Sequence, residues 1–166
     1  MHPGWTHRIW TDDENHAFIR DHYPWFLPTY TSFTRDIHRI DSVRYFYLYK
    51  YGGLYVDLDI ESLASSASLL RHKSLMLVKL VDTLEWCHAI PNAWMASIPG
   101  HPFWMHVIKN IMLEFEQDPK QKTEMLTGPC MLTRSYREYM ARNEPDLESI
   151  DLIENGTFLS SYSIKI

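Results

Sequence analysis

An α/β domain is predicted for this chain by three observations. Helical stretches alternate with short strands, no linker or internal repeat interrupts them, and 166 residues are enough to bury one hydrophobic core. The whole chain, residues 1–166, therefore reads as a single domain.

The elements follow in order. Thr11 to Asp21 reads as a helix: Thr11 or Asp12 can cap it, and acidic residues fill its first turn, where the helix dipole favours them. Tyr23-Pro24-Trp25-Phe26-Leu27-Pro28 ends it, because a proline disfavours helical geometry in the residue before it; the aromatics there are expected to pack. Asp36 to Tyr51 is the next helix, stopped by Gly52-Gly53. Leu54 to Ile60 then alternates with the period of a strand. Leu54, Val56, Leu58 and Ile60 fall on one face, with Tyr55, Asp57 and Asp59 on the other. Leu75 to Val81 is a second apolar strand. Pro99-Gly100-His101-Pro102 opens a long helix, Pro102 suiting its first turn, and Phe103, Val107, Ile111 and Phe115 form its buried stripe. His101 is read as the cap of that helix rather than as a ligand. Thr127-Gly128-Pro129 introduces a last helix reaching about Arg142.

Composition narrows the function. Apolar residues make up 45% and charged residues 22%, ordinary for a soluble globular protein, and the net charge of −5 argues against a nucleic-acid binder, which needs a basic face. No run of about 18 apolar residues occurs, so no membrane span is expected. The N-terminus, Met-His-Pro-Gly-Trp, lacks a basic stretch followed by an apolar one, so no signal peptide is expected. Cys87 and Cys130 are expected to be free buried thiols. Asn155-Gly156-Thr157 is an N-glycosylation sequon that matters only in a secretory lumen.

The chemistry concentrates between Asp41 and Asp59. Asp57 and Asp59 lie two apart near the end of an apolar strand, and two carboxylates converging there suit a hard divalent cation, manganese or magnesium. Such an ion takes its remaining ligands from water and substrate phosphates and neutralises charge on a leaving diphosphate. Asp41 and Arg44 lie three apart and share a helix face. They read either as a local ion pair of little energetic worth or as a donor grip, with Arg44 on phosphate and Asp41 on sugar hydroxyls. Gly52-Gly53 reads both as a helix stop and as a place where backbone approaches a ligand closely.

Taken together, Asp41-x-x-Arg44-Tyr45-x-x-Leu48-x-x-x-Gly52-Gly53-x-Tyr55-x-Asp57-x-Asp59 resembles the DXD-containing sugar transferase family, which includes the inositol phosphorylceramide mannosyltransferases and the fungal initiating outer-chain mannosyltransferases. Trp10-Thr-Asp12, Tyr23-Pro-Trp25-Phe-Leu27, Asn92…Ser97-x-Pro-Gly100-His101-Pro102-Phe103 and Thr127-Gly128-Pro129 extend the resemblance from about Trp5 to Arg142. It implies a GT-A fold, a Rossmann-like α/β sandwich, and transfer of a hexose, foremost mannose from GDP-mannose, with retention, to a glycolipid or glycan. It implies a metal at Asp57 and Asp59 and a donor site of Asp41, Arg44, Asp57 and Asn92. Asn92 can equally cap a loop, Tyr55 is assigned to packing, and no catalytic nucleophile is assigned. A Golgi or secretory lumen is implied as the location.

Members of the family usually begin with an apolar strand ahead of this sequence and carry a His-rich, Trp-containing segment near the C-terminus. The chain shows neither, so the fold is expected to be incomplete at both ends, with nucleotide-base recognition most affected. This motivates a second reading, a truncated relative serving as partner subunit of a complete transferase. A phosphatase of the haloacid-dehalogenase type would need Thr or Val two positions after the second aspartate, where Glu61 stands. A lectin-like binding module suits the 14% aromatic content but leaves the aligned carboxylates without a purpose.

Overall fold

The computed structural model describes the backbone of residues 4–142 and 148–164, with side chains in the second stretch through residue 158. Met1 to Pro3, part of the stretch read for a signal peptide, lie outside these. Three helices come first: α1 (Asp12–His22), α2 (Leu27–Ser32) and α3 (Asp36–Tyr51). Thr11 caps α1 as expected and completes a capping box with Glu14, each satisfying a backbone N–H of the other. α2 is not expected from the sequence, where Pro28 reads as a helix breaker. Proline sits at the start of that helix, where no N–H is required of it.

The strands β1 (Gly53–Val56), β2 (Ile60–Ser62), β3 (Leu75–Lys79) and β4 (Trp94–Ser97) follow. Then come α4 (Pro102–Gln117), α5 (Thr123–Leu126), α6 (Pro129–Met140), β5 (Asp151–Glu154), α7 (Asn155–Ser161) and β6 (Tyr162–Ile164). A mixed four-stranded sheet runs in the order β1-β4-β3-β5, with β3 parallel to β5 and its other pairs antiparallel. β2 and β6 form a separate antiparallel pair.

Both faces of this sheet are covered. Leu75, Leu77 and Met95 face a core built from Tyr45, Phe46 and Leu48 of α3, Phe103, Trp104, Val107 and Ile111 of α4, and Met131 and Leu132 of α6. Met76, Val78, Trp94, Ala96 and Ile153 face the other way, against Phe158 of α7. Burial on both faces explains why β3 reads as a continuous apolar run. Phe103, Val107 and Ile111 are buried as the stripe predicted, and Phe115 packs half-buried beside them. The result is the α/β architecture the sequence predicted, consistent with a GT-A-like domain.

Three expectations need correction. The strand expected over Leu54 to Ile60 stops at Val56, and Leu58, expected to share a strand face with Leu54 and Val56, is 86% exposed. The β1–β4 ladder closes with the Asp57 N–H donating to the Ala93 carbonyl, after which the Ile60 N–H donates back to the Asp57 carbonyl and makes a turn. That turn keeps the carboxylate of Asp59 in water, where an unpaired charge costs least. The helix expected at Thr127-Gly128-Pro129 is found as α6, but it is not the last, since α7 follows it, and a short α5 ends just before Thr127. Cys87 and Cys130 are not free thiols: they form a disulfide across 43 residues, which sequence spacing does not disclose.

Candidate active site

Glycine ends α3 and sets the entry to the site. Gly52 has φ +64° and ψ −151°, a conformation essentially reserved for glycine. A Cβ there would lie 2.6 Å from the Pro99 nitrogen and 2.7 Å from the Ser97 carbonyl oxygen. The helix stop read from the sequence is therefore realised, and the close approach found at Gly52 is between backbone segments, bringing the end of α3 against the end of β4.

From this corner β1 carries the chain into an open cleft of about 1380 Å³. Arg44 of α3, Tyr55 of β1 and the turn residues Asp57, Leu58 and Asp59 line part of it, and residues 5–10 line a second part of its wall. In that second part the Arg8 guanidinium lies 3.3 Å from the centre of the Trp10 ring, which stacks in turn on Tyr47.

Arg44 is the hub. Its Nη2 meets the Asp41 carboxylate at 2.7 Å, and its Nη1 donates to the Asn92 carbonyl at 2.8 Å and lies 3.3 Å from Asp57 Oδ1. The Tyr55 hydroxyl donates to the same Asp57 oxygen at 2.7 Å, and the guanidinium sits over the Tyr55 ring. Asp41 also accepts from the Thr127 hydroxyl, while the Tyr45 hydroxyl donates to the Thr127 carbonyl and accepts from the Asn92 amide. Burial pushes the Asp41 carboxyl above the usual carboxylate range, with Arg44 and Thr127 pulling it back. Burial alone would lower the Arg44 value, but Asp41, Tyr55 and Asp57 outweigh it and leave it raised. Burial likewise pushes up the Tyr55 phenol, so Tyr55 is a neutral donor.

The structure thus brings Asp41, Arg44, Asp57 and Asn92 into one network. Their placement differs: Arg44 and Asp57 reach the cleft with Asp59, while Asp41 and Asn92 are buried behind Arg44 and hold it. Among the described residues, no third carboxylate or imidazole joins Asp57 and Asp59 in a ligand cluster. Two carboxylates, with water and substrate phosphate completing the shell, suit a hard divalent cation rather than a closed protein cage. The charge balance agrees, since the three carboxylates against one guanidinium leave two negative charges.

Sequence reasoning missed three contributors. Tyr55, assigned to packing, orients Asp57; its place two residues earlier on the same strand face was the available signal. Thr127 and Tyr45 carried no such signal, because their contacts with one another and with Asp41 are long-range.

Residues 1–76 match the family described as glycosyltransferase sugar-binding region containing DXD motif. The match takes in the Asp41-to-Asp59 segment. An inositol phosphoceramide mannosyltransferase of Schizosaccharomyces pombe is 36% identical over 151 residues, 90% of this chain and 40% of that protein. A mannosyl phosphorylinositol ceramide synthase of Saccharomyces cerevisiae is 34% identical over 142 residues, 84% of this chain and 36% of that protein. An uncharacterised glycosyltransferase of Acanthamoeba polyphaga mimivirus is 26% identical over 153 residues, 89% of this chain and 58% of that protein. The chain spans about two fifths of the length of the first of these relatives. No described helix is long and apolar enough to cross a membrane.

Proposed function

We propose that this chain is the core of a divalent-cation-dependent glycosyltransferase that moves mannose from GDP-mannose, with retention, onto an inositol phosphorylceramide-like glycolipid in a Golgi or secretory lumen. The observation that carries the reading is the pairing of Asp57 and Asp59 at the edge of the cleft, with Asp57 held in place by Tyr55 and Arg44. The relatives named above support the sugar and the acceptor.

In this reading Asp57 and Asp59 hold the cation, which when bound offsets the negative charge that gathers on the leaving diphosphate. Arg44 lies close enough to share that task and to orient the donor phosphates as a fixed cationic donor. Asp41 and Asn92 keep its guanidinium in one direction, so little reorganisation is needed as charge develops. Sugar and acceptor are aligned along the cleft wall between Arg44 and the 5–10 segment.

The test is mannosyl transfer from GDP-mannose to vesicles containing inositol phosphorylceramide, with manganese, for the parent and for Asp59→Asn. Asp59 is exposed, so the variant should fold normally while transfer falls by roughly 10²-fold, as when a transition-state charge partner is lost. Equal transfer by both proteins would remove Asp59 from the metal site.

A further inference from the structure

The stretch from Leu80 to Ala93 joins β3 to β4 with no helix or strand of its own, yet it supplies two backbone contacts to the site. The Asn92 carbonyl accepts from Arg44, and the Ala93 carbonyl accepts from the Asp57 N–H at 2.9 Å. An irregular connection this long is uncommon inside a compact fold and is usually functional. With no ladder to fix it, its position depends on where it is fastened.

Both covalent and polar fasteners land on one helix. Cys87 is joined to Cys130, and the Ile90 N–H donates to the Thr133 hydroxyl at 3.0 Å. Cys130 and Thr133 lie three apart on the first turns of α6 and so share a face. Just before α6, Thr127 and Gly128 lie against Asp41. The same end of α6 therefore grips Asp41 directly and Asn92 through the fastened loop. Asp41 and Asn92 are the two buried groups among those that hold Arg44.

We propose that the Cys87–Cys130 disulfide and Thr133 are positioning groups of the site: they hold the 87–92 stretch on α6 so that the Asn92 carbonyl fixes the Arg44 guanidinium, and opening the disulfide lets both relax. Opening takes two electrons and two protons from a dithiol, which becomes a disulfide as Cys87 and Cys130 become thiols. The consequence for donor binding rests on the transferase reading; the coupling of loop to Arg44 does not.

Amide hydrogen exchange tests the coupling on the parent with and without dithiothreitol, on the Cys87→Ser/Cys130→Ser double variant and on Thr133→Val. Exchange over 88–93 and at Asp57 should quicken by roughly tenfold while α4 is unchanged, and the Kd for GDP-mannose with manganese should rise by a similar factor. Unchanged exchange over 88–93 in the reduced parent overturns the proposal. So does a uniform rise across all helices, which would mark the disulfide as a general staple. A localised rise in a protein that binds no GDP-mannose even when oxidised keeps the positioning role and removes the transferase reading instead.

Discussion

Replacing Arg44 with Met removes the cation paired with the buried Asp41 carboxylate, and the size of the effect can be worked out. The Arg44 and Asp41 side chains are 5% and 8% exposed and meet at 2.7 Å, leaving Asp41 with the Thr127 hydroxyl as its principal remaining partner. Breaking a buried pair from one side costs about 3–5 kcal/mol, about a fifth or more of the roughly 5–15 kcal/mol stability of an ordinary domain. At roughly 2–4 °C per kcal/mol for a chain of this size, the Tm falls by roughly 6–20 °C. The loss depends on pH. Burial already raises the Asp41 carboxyl above its unfolded value, and without Arg44 it rises further. The folded variant then binds a proton that the unfolded chain does not, so its stability is greatest below the unfolded value and falls as pH climbs through the folded one. The deficit against the parent is therefore largest at neutral pH and shrinks on acidification. Adding Asp41→Asn should recover most of it, because the buried charge disappears with its partner. Urea denaturation at several pH values measures all of this. A deficit under about 1 kcal/mol at neutral pH, or a double variant as unstable as the single, refutes the buried-pair argument.

Two further substitutions probe the neighbours. Gly52→Ala should cost at least about 1–3 kcal/mol for the forced backbone alone, with the contacts to Ser97 and Pro99 adding to it; a Tm within a degree of the parent would show that the corner yields. Tyr55→Phe removes the hydroxyl that orients Asp57 and should cost about 1 kcal/mol while weakening manganese binding, read by calorimetry; unchanged affinity would return Tyr55 to a packing role.

Local signals in the sequence marked the candidate site, while its assembly depended on contacts no local signal carries. The helix over Asp36 to Tyr51 was legible because a glycine with a demanding conformation follows a long apolar period. The strand after it was read too long because alternation records side-chain faces and not where the partner strand ends; β4 starts opposite Val56. β4 itself is four residues and owes its existence to β1 and β3 on either side, which no window of sequence contains. The motif residues were found, but the division of Asp41 and Asn92 from Arg44 was not, since burial behind a neighbour is a property of the fold. The disulfide was missed for the same reason.

The two aspartates differ in mechanical character. Asp57 is clamped at its backbone by the last rung of the β1–β4 ladder and at its carboxylate by Tyr55 and Arg44, whereas Asp59 stands beyond that rung in an exposed turn. A cation shared by them would rest on one stiff jaw and one compliant jaw. Capture and release would then need only the turn to swing, leaving sheet, helix and arginine undisturbed, so turnover could be tuned by stiffening residues 58–60 without altering a single ligand.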